Sequence, residues 1–199
     1  MARADGSIGG FLKWIAIATA LVVVGVTAYE YVHQDSAGGL LHYRLGNQRL
    51  EDGLHDQALT ELQAVLAEHP RHAGARLGVA LALMGMERDS EALAAFDAAL
   101  RDKPDFAAAF ANRGILLDRL GEHEQALADY RQALRIDPEL GEGPDWLTRF
   151  LRNQADRPPT IADRANYIEV ELKKPPGERV LRIPERDAAQ RPYKVEGEL

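Results

Sequence analysis

Proline recurs at a fixed interval in the middle of the chain, and this period limits the possible folds more than any other feature. Pro70, Pro104 and Pro138 lie 34 residues apart, and the residues upstream of each follow one pattern. The three windows that share the pattern are 39–72, 73–106 and 107–140. A fixed period of this length indicates a stack of repeated structural units, called the repeat array below.

Small residues recur at the same positions of each window. The eighth position is small and the twentieth is alanine, as seen in Gly46, Ala80, Gly114, Ala58, Ala92 and Ala126. Two helices can cross closely only where both lack bulk, so these positions predict contact between a first and a second helix. Gly53 and Gly121 lie where the first helix is expected to end and favour a left-handed cap, and the closing prolines cannot continue the second helix. Each window is therefore predicted to be a helical hairpin.

The pattern resembles the tetratricopeptide repeat family, whose signature combines a small residue, alanine, a large aromatic residue, alanine and proline at these positions. The middle window departs from it by carrying Glu87 where glycine is usual. The resemblance implies an all-α fold in which three hairpins stack into a short right-handed superhelix, because one hairpin cannot bury its leucines alone. The predicted domain covers 39–153, including a capping helix.

The predicted capping helix occupies 145–153, directly after the last repeat. Pro144 and Asp145 mark its start, and its apolar face contains Trp146 and Phe150. Such a face suits a helix that closes the end of a repeat array. The alternative is that the same face meets a partner protein.

The tail, 154–199, is rich in proline and charge and is predicted to be mostly irregular. Within it, Thr160 and Asp163 form a plausible capping box ahead of apolar residues at helical spacing. This pattern predicts a helix over 160–174, although the same residues also alternate like a strand. The tail has three possible roles: it docks on its own repeat array, binds a partner or stays disordered.

The N-terminal part contains a long apolar run. Residues 11–32 are nearly all apolar, with Trp14 near one end and Tyr29 and Tyr31 near the other. This length and these flanking aromatic residues are typical of one transmembrane helix.

Charge around the apolar run predicts its orientation. Arg3 and Lys13 precede most of the run, so residues 1–10 are expected in the cytoplasm and the repeats on the outer side of the membrane. In a Gram-negative bacterium that side is the periplasm. The predicted localisation is a single-pass membrane protein with a signal anchor, and the alternative is a secreted protein cleaved near Ala28.

In the resembled family, the first helices of successive hairpins line a concave groove. Carried over position by position, the groove residues are Tyr43, Arg44, Asn47, Leu77, Leu81, Met84, Ala111, Asn112, Ile115 and Arg119. The middle of this wall is apolar and its edges are polar, which suits an amphipathic helix or an extended peptide whose backbone meets Asn47 and Asn112. The resemblance thus implies a protein or peptide partner, although the apolar groove residues could instead pack against neighbouring helices.

The sequence contains no evident catalytic, cofactor or metal site. Cysteine is absent, and His69 and His72 are separated by Pro70, which breaks the helix needed for chelation. His55 and His123 share a repeat position and are interpreted as solvated turn residues. A net charge of -7 without clustered lysine and arginine argues against binding nucleic acid.

The predicted function is a non-enzymatic scaffold, anchored in a membrane, that mediates protein interactions during assembly or organisation of a membrane or periplasmic complex. One alternative is a permanent structural subunit of a membrane complex. A weaker alternative is an enzyme whose site is not recognisable in the sequence.

Overall fold

The computed structural model describes residues 5–143, 158–182 and 192–193, with side chains from 13 to 27 and from 39 onward in these ranges. The chain divides into two compact units, Met1–Leu41 and His42–Leu199. Every regular element in the described ranges is helical. The α-helices are α1 (Asp5–Glu51), α2 (His55–Glu68), α3 (Ala73–Gly85), α4 (Asp89–Asp102), α5 (Ala107–Leu120), α6 (His123–Ile136) and α7 (Ile161–Leu172), with short 3-10 helices at Pro138–Gly141 and Pro176–Glu178.

The first unit contains the larger part of α1. Apolar side chains described between Trp14 and Val26 are exposed. Within the described residues, no helix has both the length and the apolar character needed to cross a membrane. The predicted transmembrane helix over 11–32 is therefore not supported by the structure.

The second unit consists of helical hairpins, which confirms the all-α repeat fold. Helix α3 packs against α4, and α5 packs against α6. The second helices end at Glu68, Asp102 and Ile136, in each case two residues before the closing proline. A residue that precedes proline is disfavoured in the helical conformation, so the three prolines set the ends of these helices.

The close helix crossings predicted from small residues are present. Ala58, Ala92 and Ala126 have no exposed surface. The glycines in the first helices face the large apolar residue of the second helix: a Cβ added at Gly46 would lie 2.6 Å from Leu62 Cγ, and one added at Gly114 would lie 2.8 Å from the Tyr130 ring. Glycine at these positions therefore makes room for a fully buried leucine or tyrosine.

The turn inside each hairpin requires one residue with a left-handed backbone. Gly53 has φ 72° and Gly121 has φ 89°, which confirms the predicted caps. In the middle hairpin Glu87 has φ 59°, so a residue with a Cβ occupies the same region. Crowding between Cβ and the carbonyl oxygen makes this conformation cost about 1–2 kcal/mol for a non-glycine residue.

Replacing Glu87 by glycine is expected to raise the free energy of unfolding by about 0.5–1 kcal/mol. Relief of backbone strain is partly offset by the greater freedom of glycine in the unfolded chain. Urea denaturation followed by circular dichroism measures the change. The matched control is Gly53→Ala, which has open space around the added Cβ but places it on a left-handed backbone, so it should lower stability. If the Glu87→Gly variant is no more stable than the parent protein, the predicted backbone strain at Glu87 is wrong.

Helix α7 begins with a capping box. The Thr160 hydroxyl accepts a hydrogen bond from the Asp163 amide at 3.3 Å, and the Asp163 carboxylate accepts one from the Thr160 amide at 2.9 Å. Both bonds satisfy main-chain donors that otherwise lack partners at a helix start. The helix lies where the sequence predicts one over 160–174.

Helix α7 packs on the last hairpin through α6. Its apolar face shares a buried cluster with α5 and α6, to which α7 contributes Ile161, Ala165 and Ile168. Helix α7 thus covers apolar surface at the C-terminal end of the repeat array, a role that the sequence predicts for residues 145–153. That segment lies outside the described residues.

Candidate functional site

The candidate site lies around Asn112 on α5, where part of the tail meets the repeat array. Asn112 is fully buried. Its Nδ2 donates a hydrogen bond to the carbonyl oxygen of Tyr193 at 2.7 Å, and its Oδ1 accepts one from the Tyr193 amide at 2.8 Å. One side chain therefore pairs with both main-chain groups of a single residue, as a neighbouring residue does in an antiparallel sheet.

Helix α5 fixes the orientation of this amide. Asn112 Nδ2 also donates to the carbonyl oxygen of Ala108, one turn earlier, at 2.8 Å. The nitrogen thus uses its two hydrogens on two carbonyl groups, which leaves the oxygen to accept from an amide. The methyl side chain of Ala108 takes little space on the same helix face, so a peptide backbone can approach closely.

The side chain of Tyr193 is held as well as its backbone. Its hydroxyl donates to the carbonyl oxygen of Leu140 at 3.0 Å and accepts from the amide of Ile161 at 3.3 Å. Leu140 belongs to the 3-10 helix after α6, and Ile161 is the first residue of α7. The ring packs against the apolar clusters, and this burial raises the pKa of the Tyr193 phenol.

A buried ion pair joins α7 to α5. Arg164 contacts Asp118 through two bonds, Nε to Oδ2 at 2.6 Å and Nη2 to Oδ1 at 2.8 Å, and the two side chains are 5% and 3% exposed. Arg164 Nη2 also donates to the carbonyl oxygen of Leu181 at 2.8 Å. These contacts connect the segment after α7 to the repeat array.

Two residues of α6 also contact Asp118: His123, the first residue of the helix, and Tyr130, in its middle. His123 Nδ1 lies 2.9 Å from Asp118 Oδ1, and the Tyr130 hydroxyl donates to Asp118 Oδ2 at 3.4 Å. The interpretation of His123 as a solvated turn residue is wrong, because its side chain is only 10% exposed. His55, at the same repeat position, is half-buried.

A second arginine bridges neighbouring hairpins. Arg113 on α5 contacts Asp129 on α6 through Nε at 2.7 Å and Nη2 at 2.8 Å, and contacts Asp97 on α4 through Nη1 at 2.5 Å. Hydrogen bonding to Asp129, followed by that to Asp97, raises the pKa of Arg113. Arg113 therefore remains charged and links three helices.

The predicted groove residues differ in exposure. The buried members are Tyr43, Leu77, Met84, Ala111 and Asn112. The half-buried members are Asn47, Leu81 and Ile115, and the exposed members are Arg44 and Arg119. The buried members are part of the protein's interior. Asn47, Leu81 and Ile115 remain as the groove members whose side chains are both partly exposed and uncharged.

The structure assigns specific contacts to three of these residues. The ring of Tyr43 lies 4.7 Å from that of His72, Asn112 binds the tail, and Arg119 pairs with Asp89. The carbonyl oxygen of Arg119 also accepts from Arg182 Nη2 at 2.7 Å.

Sequence reasoning missed Asp118, Arg164 and Tyr193. The signal for the first two is a charge within an apolar pattern: Asp118 follows Ile115, Leu116 and Leu117, while Arg164 precedes Ala165 on the apolar side of α7. Opposite charges on two apolar faces indicate a buried pair, because an isolated buried charge is costly. No comparable local signal identifies Tyr193.

The groups gathered here are suited to binding a peptide main chain. Within the described ranges, no three His, Asp or Glu side chains are placed to hold a metal ion. His72 caps α3, with its Nδ1 accepting from the Ala75 amide at 3.0 Å. The amide of Asn112 and the main-chain groups around the Tyr193 hydroxyl make the hydrogen bonds that position Tyr193.

Family comparisons agree with this architecture. Two family models, both described as tetratricopeptide repeat, match residues 49–112 and 107–140. Residues 49–140 are tetratricopeptide repeats. The short form TPR is used for these repeats below.

Solved TPR structures share the fold. TTC0263, a thermophilic TPR protein of Thermus thermophilus, is 22% identical, with a TM-score of 0.51 over 81% of this chain and 90% of its own. The first TPR domain of human RPAP3 is 19% identical, with a TM-score of 0.50 over 67% and 96%. MamA is 20% identical, with a TM-score of 0.50 over 73% and 85%. These similarities show the fold alone, and no curated protein gives a significant match.

Proposed function

We propose that the TPR array is a protein-interaction scaffold that holds an extended segment of a partner protein along the first helices of its hairpins. The observation that carries this proposal is the pair of hydrogen bonds between Asn112 and the main chain of Tyr193. Main-chain pairing recognises an extended ligand, and side-chain contacts then provide specificity. Leu81 and Ile115 are half-buried and are the apolar residues proposed to contact the ligand's side chains.

Hydrogen bonds of this kind give modest affinity. Each contributes about 0.5–1.5 kcal/mol net, because the same groups bind water when the site is empty. Stable capture of a partner therefore requires apolar contacts or a high local concentration of the partner.

Photocrosslinking from positions 81 and 115 of the full chain in cells tests the scaffold. A separate protein should be captured from both positions. With the crosslinker moved to position 47, which is also half-buried, Leu81→Arg combined with Ile115→Arg should abolish capture with little loss of helicity, since both residues are partly exposed. Leu54→Arg is the matched control, because Leu54 lies in a turn and is exposed. Normal capture by the double variant would contradict the groove, and a large loss of helicity would show that both residues belong to the core.

A further part of the proposal is that the first unit anchors the scaffold in a membrane through residues 11–32, with the N-terminus in the cytoplasm and the repeats outside. The apolar sequence of residues 11–32 and the basic residues Arg3 and Lys13 support it. Anchoring would concentrate the groove near other membrane proteins and suits assembly of a membrane complex.

Alkaline extraction of membranes, combined with protease protection of the repeats, tests the anchor. A chain that resists extraction and has externally cleavable repeats agrees with it. Release of a shortened chain that starts near Tyr29 would instead indicate cleavage near Ala28. Stoichiometric purification with one partner through harsh washing would indicate a permanent subunit of the complex.

A further inference from the structure

Tyr193 is held through both its main chain and the hydroxyl of its side chain. Asn112 contacts its main chain, while the carbonyl of Leu140 and the amide of Ile161 contact its hydroxyl. These groups come from α5, the 3-10 helix after α6 and the first turn of α7. Together they surround one residue and contact both its backbone and the end of its side chain.

We propose that these groups form a tyrosine-selective peptide site, which binds a tyrosine within an extended segment of a partner protein, and that Tyr193 is its intramolecular competitor. This inference rests on the scaffold function proposed above and names the chemistry of the partner segment. Pro192, which precedes Tyr193, is exposed. The residue before tyrosine therefore does not enter the site.

The phenol hydroxyl provides the selectivity. It donates to a carbonyl and accepts from an amide, so it satisfies both groups with one atom. The Ile161 amide lies at the start of α7, where main-chain donors have no partner within the helix. A phenylalanine in the same place cannot bond to either group, and the loss of two partly buried hydrogen bonds should weaken binding by about tenfold.

Covalent linkage gives Tyr193 its advantage over a separate ligand. Because Tyr193 belongs to the same chain as the site, its local concentration there exceeds that of a separate ligand, and tethering can bring this effective concentration into the millimolar range. A partner segment must therefore offer additional contacts, such as those with Leu81 and Ile115, to displace the tail. The scaffold is thus closed to weak ligands and opens to a segment that fills the groove and carries a tyrosine.

Fluorescence polarisation with a synthetic peptide of the chain's own sequence QRPYKVE, residues 190–196, tests the site. The receptors are the full wild-type chain and full chains carrying Tyr193→Ala or Tyr193→Phe. The peptide should bind the Tyr193→Ala chain at least about tenfold more tightly than the wild type, because the tail then keeps its main-chain groups but loses the ring packing and the hydroxyl contacts of Tyr193. The Tyr193→Phe chain retains the ring and its packing, and it should also bind the peptide more tightly than the wild type.

The same peptide with phenylalanine in place of tyrosine measures selectivity. It should bind the Tyr193→Ala chain about tenfold more weakly than the tyrosine peptide does. Adding Asn112→Ala should weaken binding of both peptides by roughly 5- to 150-fold, because both use the main-chain contacts.

The outcomes separate this inference from the scaffold function. Equal binding of the two peptides, dependent on Asn112, would overturn tyrosine selectivity and leave an extended-peptide scaffold standing. Equal binding of the tyrosine peptide to the wild-type and Tyr193→Ala chains would overturn the competition. If the tyrosine peptide binds neither the Tyr193→Ala chain nor the Tyr193→Phe chain, the proposed tyrosine site is wrong. The scaffold function is tested separately by crosslinking from positions 81 and 115.

Discussion

Replacing Asp118 by alanine is expected to lower the free energy of unfolding of the second unit by about 3–5 kcal/mol. The substitution takes the carboxylate away from Arg164, which is 5% exposed and bonded to it through two nitrogens. A buried charge that loses its partner keeps the cost of desolvation without the compensating attraction. The same change removes an acceptor of the Tyr130 hydroxyl.

Urea denaturation of single and double variants distinguishes the ion pair from packing. Asp118→Leu combined with Arg164→Met should recover most of the lost stability, because an apolar pair of similar volume leaves no buried charge. Asp89→Ala is the matched control: it breaks the partly exposed pair with Arg119 and should cost less than about 1 kcal/mol. A loss below about 1 kcal/mol for Asp118→Ala would show that the buried pair contributes little.

Replacing Asn112 by alanine is expected to weaken docking of the tail at Tyr193 and capture of an extended segment. Loss of both hydrogen bonds to Tyr193 should weaken docking by about 1–3 kcal/mol, or roughly 5- to 150-fold. Hydrogen exchange at the Tyr193 amide measures the effect directly, because that amide donates to Asn112 Oδ1 in the docked chain. We expect its protection to fall by the same factor.

Two further variants test whether the effect of Asn112→Ala is specific to the side-chain amide at position 112. Asn112→Asp keeps an oxygen for the Tyr193 amide but turns a second oxygen toward the Tyr193 carbonyl, so it should not restore docking. Asn47→Ala removes an amide from the first hairpin and should leave exchange at Tyr193 unchanged. Protection that persists in Asn112→Ala would mean that the other contacts of the tail, including those of the Tyr193 ring and hydroxyl and of Arg182, are sufficient to hold it.

The hairpins were predictable because their determinants are local. Pro70, Pro104 and Pro138 mark the ends of the second helices, and Gly53 and Gly121 mark the left-handed turns. The departure at Glu87 was also visible in the sequence, and the structure shows its backbone in the conformation that glycine normally adopts. Each of these features depends on residues within one window of the repeat.

The candidate site was only partly predictable, since its contacts join distant parts of the chain. The resemblance placed Asn112 in the groove, but its partner Tyr193 lies 81 residues away. Asp118 and Arg164 are 46 residues apart. Repeat positions also say little about exposure: Leu77 and Met84 occupy groove positions, yet packing by neighbouring helices buries them.

Arg113 has a consequence for how order is lost in the repeats. Its guanidinium contacts Asp97 in the middle hairpin and Asp129 in the last one. In a stack of repeats, stability is the sum of terms for each repeat and for each junction between neighbours. A charge shared across a junction adds to the second kind of term, by up to about 1 kcal/mol for a partly exposed pair, and so favours joint melting of the middle and last hairpins. A chain cut between them would lose this junction in addition to a repeat, and therefore more stability than the deleted helices alone contribute.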